Sequence, residues 1–249
     1  MAASKPQPPS SFTTDSQSTS SITISWTEPD NGGDPISDYE IDWDRGATID
    51  SYTTLVSTTS GTLTHTISGL TVAGEVYKLK VRAVNSIGTS VDSAEYQVIG
   101  ASLPDKPITF VRDDTLTTKS QVSFSWNAPP SDGGSSILDY EVEMDDNNDN
   151  VYTVVATGLA SAAHIETGLS AGNAYRFRVR ARNAVGYSVY ANVFTITAAT
   201  VPSKPATPST TLNSDQTVVI LFWSIPTDTG GLTVDGYKVE IKTSNGIWL

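Results

Sequence analysis

Cysteine is absent from the 249 residues, which excludes disulfides, thiol nucleophiles, zinc fingers and iron–sulfur clusters together. Histidine occurs only twice, so little imidazole is on hand for proton transfer or metal binding. Positive charge is scarce as well: 15 Lys and Arg stand against 27 Asp and Glu, a formal net charge of −12. A surface of that sign repels polyanions, so neither nucleic acid nor an anionic membrane surface is expected as a partner. No apolar run approaches the roughly 20 residues of a membrane-spanning helix. The opening Met1-Ala-Ala-Ser-Lys-Pro6 lacks the apolar stretch of a secretory signal, which fits either an intracellular protein or a portion of a longer mature chain. None of the asparagines is followed two places on by Ser or Thr, which speaks against dense N-glycosylation. Helical periodicity sustained over three turns is missing too. What is abundant is Ser and Thr, 64 together, with 18 Gly and 13 Pro. That mix favours strands and turns.

The chain then repeats itself. Lys-Pro recurs at Lys5-Pro6, Lys106-Pro107 and Lys204-Pro205. A short run ends in Trp three times, as Ile22-Thr-Ile-Ser-Trp26, Val122-Ser-Phe-Ser-Trp126 and Val219-Ile-Leu-Phe-Trp223. A proline and a glycine pair follow each time (Gly32-Gly33, Gly133-Gly134, Gly230-Gly231), and then Tyr39-Glu-Ile41, Tyr140-Glu-Val142 and Tyr237-Lys-Val239. The Trp positions are 100 and then 97 residues apart. This period is too long for a solenoid and suits an all-β domain of about 100 residues. Alternation in Tyr77-Lys-Leu-Lys-Val-Arg-Ala83 and Tyr175-Arg-Phe-Arg-Val-Arg-Ala181 predicts strands with one buried face. Three units are expected, 1–102, 103–200 and 201–249, with proline-rich junctions between them.

These motifs resemble the fibronectin type III domain, with units most like those of giant muscle proteins and adhesion receptors. The resemblance implies an all-β chain of tandem seven-stranded, immunoglobulin-like sandwiches. It implies a Trp in strand B, a Tyr in strand C and a Leu-x5-Tyr corner before strand F. Leu169 to Tyr175 fits that corner, and Leu70 to Tyr77 carries one residue more. The structural residues it assigns are Trp26, Tyr39, Leu70 and Tyr77 in unit one, Trp126, Tyr140, Leu169 and Tyr175 in unit two, and Trp223 and Tyr237 in unit three. The last unit has counterparts of strands A, B and C. The hairpin signal Asn245-Gly246 then starts C′, and nothing corresponds to strands E, F and G. In the family B pairs with E and C with F, so unit three is expected to be completed by further chain or by strands from a neighbour. The same pairing brings two charged rows together. Asp38, Glu40, Asp42 and Asp44 face Lys78, Lys80 and Arg82, while Glu141, Glu143 and Asp145 face Arg176, Arg178, Arg180 and Arg182. Exposed cross-strand ladders are expected, with the Arg row paired internally.

Candidate sites are few. Asp145, Asn147 and Asp149 reproduce the first three oxygen positions of an EF-hand loop, but Asn150 replaces its Gly and Ala156 stands where the bidentate Glu belongs. The segment reads as a solvated turn. His65 and His164 stand at matching places before a Gly-Leu pair, which suits a structural role. The glycine pairs lack the Lys-Ser/Thr and the helix of a phosphate cradle. No Arg-Gly-Asp occurs, and the short loops Asn85–Gly88 and Asn183–Gly186 occupy the place where the family carries that tripeptide. The expected function is therefore non-catalytic: a structural or adhesive spacer within a larger, extracellular or surface-linked filamentous assembly. It needs no cofactor, and its partners are other proteins or copies of itself. The alternatives are an intracellular cytoskeletal or ciliary scaffold and the spacer region of a secreted carbohydrate-active enzyme.

Overall fold

The computed structural model describes residues 2–46, 51–56, 59–146 and 149–242. Among them every regular element is a strand. In the first repeat β1 (Ser10–Gln17), β2 (Ser21–Thr27) and β5 (Thr64–Ser68) form one antiparallel sheet in the order β1-β2-β5. The second sheet runs β4 (Thr53–Val56), β3 (Asp38–Trp43), β6 (Val76–Asn85), and β6 also carries β7 (Gly88–Thr89) and β8 (Tyr96–Ile99). The second repeat copies this plan. One sheet holds β9 (Ile108–Arg112), β10 (Gln121–Asn127) and β13 (Ala163–Thr167), with β10 in the middle. The other runs β12 (Thr153–Leu159), β11 (Asp139–Asp145), β14 (Ala174–Arg182), β15 (Phe194–Thr197). Strand B thus pairs with E and strand C with F in both repeats.

Period-two alternation accounts for the two faces. On β2, Ile22, Ile24 and Trp26 are buried against Tyr39, Ile41, Leu79 and Val81. On the opposite face the Thr23 and Thr66 hydroxyls hydrogen-bond across the pair at 2.9 Å. Trp26 meets Tyr39 edge-on with ring centroids 5.3 Å apart. In the second repeat Phe124 lies 4.8 Å from Phe177 and 4.7 Å from Phe194, on which Phe110 stacks at 4.3 Å. Burial of each such side chain contributes roughly 1.5–3 kcal/mol, enough in sum for a small sandwich to hold without a disulfide.

By Cα proximity the chain divides into two compact units whose border cuts through the second repeat. One is Met1–Pro107 with Ala128–Tyr140 and Arg180–Ala191, the other Ile108–Asn127 with Glu141–Val179 and Asn192–Leu249. Among the described residues of the third repeat β16 (Ser209–Leu212) pairs with β17 (Val219–Phe222), with Ser209 opposite Phe222 and Leu212 opposite Val219. The expected strand C at Tyr237–Ile241 joins no sheet among the described residues. The reason is physical: in the other repeats strand C takes its hydrogen bonds from C′ and F, and the described residues of the third repeat supply neither. The expected start of C′, including Asn245-Gly246, lies outside the described residues.

Candidate functional site

The glycine pairs mark a crossing. Gly32 and Gly133 hold left-handed backbone, at φ of 69° and 74°. A Cβ on either would run into the carbonyl oxygen of Ser4 or of Ser102. The chain leading into each repeat passes here, with Ser4 N–H donating to the Gly32 carbonyl at 2.9 Å and Ser102 N–H to that of Gly133 at 2.8 Å. In each of the first two repeats one buried asparagine ties this crossing to the turn after strand F. Asn85 Nδ2 donates to the Ser4 and Asn31 carbonyls at 2.8 and 2.9 Å, while its Oδ1 accepts from Ile87 and Gly88 N–H at 3.0 and 3.1 Å. Asn183 does the same for Ser102 and Asp132, both at 2.8 Å, and for Val185 and Gly186, at 2.9 and 3.1 Å. Sequence reasoning marked these loops but missed the pins. The recurring Asn-x-x-Gly was the available signal.

The charged rows do meet, in the register that places Glu40 opposite Arg82 and Asp42 opposite Lys80. Arg82 reaches Glu40 at 3.1 Å, Asp42 at 2.9 Å and Asp92 at 3.5 Å. In the second repeat Arg178 reaches Glu143 at 2.5 Å, Arg176 reaches Asp145 at 3.2 Å, and Arg182 forms a bidentate pair with Asp139. The expectation of an exposed ladder needs correction. Asp44, Asp139, Glu141, Glu143 and Asp145 are buried, and tyrosines lie over several of the basic side chains. The Arg178 guanidinium lies 4.1 Å over the Tyr152 ring, and Lys80 Nζ lies 4.2 Å over Tyr52. Arg180 sits between Tyr187 and Tyr190 at 4.1 and 4.7 Å.

Of the metal candidates, Asn147 lies outside the described residues. Asp145 is fully buried, and its carboxylate accepts Asp149 N–H at 3.3 Å and Asn150 N–H at 3.0 Å beside the Arg176 guanidinium. Those contacts cap a turn. Asp44 acts alike in the first repeat, accepting Gly46 N–H at 2.9 Å and Lys78 N–H at 3.0 Å. Among the described residues no group of three or more His, Cys, Asp or Glu is placed to hold a metal ion. His65 and His164 occupy matching registers, opposite Ile24 and Phe124. Burial lowers the His65 pKa, and His164 Nε2 lies 2.9 Å from Glu166.

Trp26, Tyr39, Leu70 and Tyr77 are buried in the first repeat, and Trp126, Tyr140 and Tyr175 in the second. Leu169 is half-buried. The Tyr175 hydroxyl accepts Ser170 N–H at 2.8 Å, which closes the turn before strand F. Trp223 and Tyr237 remain exposed.

Two sandwiches with this pairing, this corner and this Trp–Tyr core define a class. The chain belongs to the fibronectin type III domain family, which matches residues 6–99 and 107–197. It is 29% identical over 218 residues to fibronectin type-III domain-containing protein 3A of Mus musculus, covering 87% of this chain and 18% of that protein. It is 28% identical over 259 residues to titin of Drosophila melanogaster, covering 96% of this chain and 1% of titin. It is 31% identical over 197 residues to exoglucanase B of Cellulomonas fimi, covering 73% of this chain and 17% of that protein. The chain thus spans under a fifth of the length of these relatives. The family that matches is not a catalytic one.

Proposed function

We propose that the chain is a non-catalytic spacer or scaffold, built as three fibronectin type III units (1–102, 103–200 and 201–249) within a larger, extracellular or surface-linked filamentous assembly. The observation that carries this reading is the internal use of both charged rows. Arg82, Arg176, Arg178 and Arg182 all spend their guanidinium groups on carboxylates of their own repeat. Such internal pairing suits a repeat that meets protein partners through shape. Limited proteolysis tests the unit borders, with first cuts expected near residues 102 and 200. Antibody labelling of intact source cells tests the compartment. Labelling only after permeabilisation would replace this reading with the intracellular cytoskeletal one, which the similarity to titin favours. The similarity to exoglucanase B supports a second reading, a spacer in a secreted carbohydrate-active enzyme. A glycosidase domain in the same polypeptide would establish it.

A further inference from the structure

The two joints between repeats are built from the same parts. The corner before strand F is Ala-Gly both times, as Ala73-Gly74 between β5 and β6 and Ala171-Gly172 between β13 and β14. Gly74 N–H donates to the Gly100 carbonyl and Gly172 N–H to that of Ala198, both at 2.9 Å, which ties the corner to the end of strand G. Just beyond, Ser102 N–H and Thr200 N–H donate to the first glycine of the next pair, Gly133 at 2.8 Å and Gly230 at 2.9 Å. Asp105 N–H then donates to the Ser131 carbonyl at 2.9 Å, and Ser203 N–H to that of Asp228 at 2.8 Å. The second glycine of the pair faces the corner of the preceding repeat. A Cβ on Gly74 would run into the Gly134 carbonyl oxygen, and one on Gly172 into that of Gly231. In the reverse direction a Cβ on Gly134 would stand 2.9 Å from both Ala73 Cβ and Thr19 Cγ2. One on Gly231 would stand 3.3 Å from Gly172 N and 3.4 Å from Ala171 Cβ. Gly74 and Gly134 belong to one compact unit, Gly172 and Gly231 to the other.

We propose that each joint is a lock, in which the Ala-Gly corner of one repeat seats on the second glycine of the next repeat's pair and holds the two sandwiches in a single orientation. Small contacts between domains ordinarily leave them free to move. This contact is main chain against main chain. Gly74 and the Gly134 carbonyl are too close for a side chain to lie between them and absorb a hinge motion by changing rotamer. The hydrogen bonds at Gly100, Gly133 and Ser131 fix the linker on either side of the contact. The lock rests on the spacer reading for its use, since a spacer with set joints holds what it carries at a defined angle.

The test records residual dipolar couplings on the full chain, isotopically labelled, and fits an alignment tensor to the amides of each of the first two repeats. The wild-type tensors are expected to coincide in the orientation of the structure. Gly134→Ala, whose methyl meets Ala73 and Thr19, is expected to separate them. Thr19→Ser with Ala73→Gly removes both opposing methyls and is expected to bring the tensors together again in the Gly134→Ala background. Gly74→Ala is expected to separate them beyond rescue by that pair, because its methyl meets a main-chain oxygen. Gly69 has a φ of 77°, close to the 80° of Gly74, but a Cβ there would have nothing within 4 Å. Gly69→Ala therefore carries the strain of the left-handed turn without the contact, and is expected to leave the tensors together. Tensors that differ in the wild type, that still coincide in Gly134→Ala, or that stay apart after the rescue would each overturn the lock. The first of these results would leave a flexible spacer, so the lock and the spacer reading fail separately.

Discussion

Replacing Asn183 by Ala tests whether one side chain holds the crossing of the second repeat together. Asn183 is 2% exposed and makes four hydrogen bonds to main chain, two as donor and two as acceptor. The change leaves the Ser102 and Asp132 carbonyls and the Val185 and Gly186 N–H groups without these partners. A buried polar group stripped of its partner loses about 1–3 kcal/mol. The carbonyls keep a second lone pair and loop ends admit water, so the sum falls at about 2–4 kcal/mol rather than at four full penalties. With a urea dependence of about 1 kcal/mol per molar for a domain of this size, the midpoint should drop by about 2–4 M. Urea unfolding followed by tryptophan emission reads the shift, and amide exchange on β10 and β14 assigns it to the second repeat. Asn85→Ala should lower the first repeat by a similar amount. Asn183→Asp keeps the acceptors but sets a carboxylate against two carbonyl oxygens, so it should be as damaging at neutral pH and partly relieved when acid restores one O–H donor. A loss below about 1 kcal/mol for Asn183→Ala, or an Asp variant of wild-type stability at pH 7, would refute the pin.

The Tyr175→Phe change removes the acceptor for Ser170 N–H and should lower the stability of the second repeat by about 0.5–1.5 kcal/mol, read by thermal unfolding. Burial first, and the Glu28 carboxylate second, push the Tyr39 pKa up to about 12. The unfolded value is about 10, so the neutral phenol's contribution is intact below pH ~10 and is lost as pH rises through about 12. Tyr39→Phe should flatten stability against pH across that window in urea midpoints, without making it level, because burial raises Tyr77 and Tyr140 as well.

The sandwich was legible because its signals are local and periodic. Ile22, Ile24 and Trp26 lie two apart on one strand, and one face of a strand is all that such spacing needs to specify. The register of strand E was not legible in the same way. Ile67 pairs with Ile22 and is buried, whereas Glu166 takes the matching place opposite Val122 and leaves Ile165 opposite Ser123, 46% exposed. A polar residue in the inward row misleads an argument from hydropathy, and here the Glu is accommodated beside His164. The burial of the acidic rows was hidden for another reason. Tyr152 is 26 residues from Arg178 in sequence and covers it only after β12 has folded beside β11. The alternation of β11 says which way Glu143 points and nothing of what lies above it. The segment around Asp145 reads as a solvated turn, yet Asp145 itself is buried at the end of β11, where its carboxylate accepts the Asp149 and Asn150 N–H groups.

That roof also separates the ladder from ordinary surface ion pairs, and a double-mutant cycle can measure the difference. The Arg178 and Glu143 side chains are 30% and 11% exposed, and the guanidinium is stacked on Tyr152. The Arg112–Asp114 pair, at 3.0 Å, has side chains 36% and 84% exposed. Exposed pairs contribute about 0.2–1 kcal/mol and are screened by salt, while a cation over an aromatic face adds about 0.5–1 kcal/mol at exposed sites and more when desolvated. Coupling between Arg178→Gln and Glu143→Gln should therefore reach about 1–2 kcal/mol, since the ring holds the guanidinium in place and keeps water from one side of the carboxylate. Most of it should survive in 0.5 M salt (roughly a 4–5 Å screening length), because the pair is closer than that and half shielded. The Arg112–Asp114 coupling should be under about 0.5 kcal/mol and vanish in the same buffer. Adding Tyr152→Leu, which keeps apolar cover and removes the π face, should cut the Arg178–Glu143 coupling toward the surface value. Equal couplings for the two pairs, or an Arg178–Glu143 coupling indifferent to Tyr152→Leu, would mean that the tyrosine covers the ladder without strengthening it.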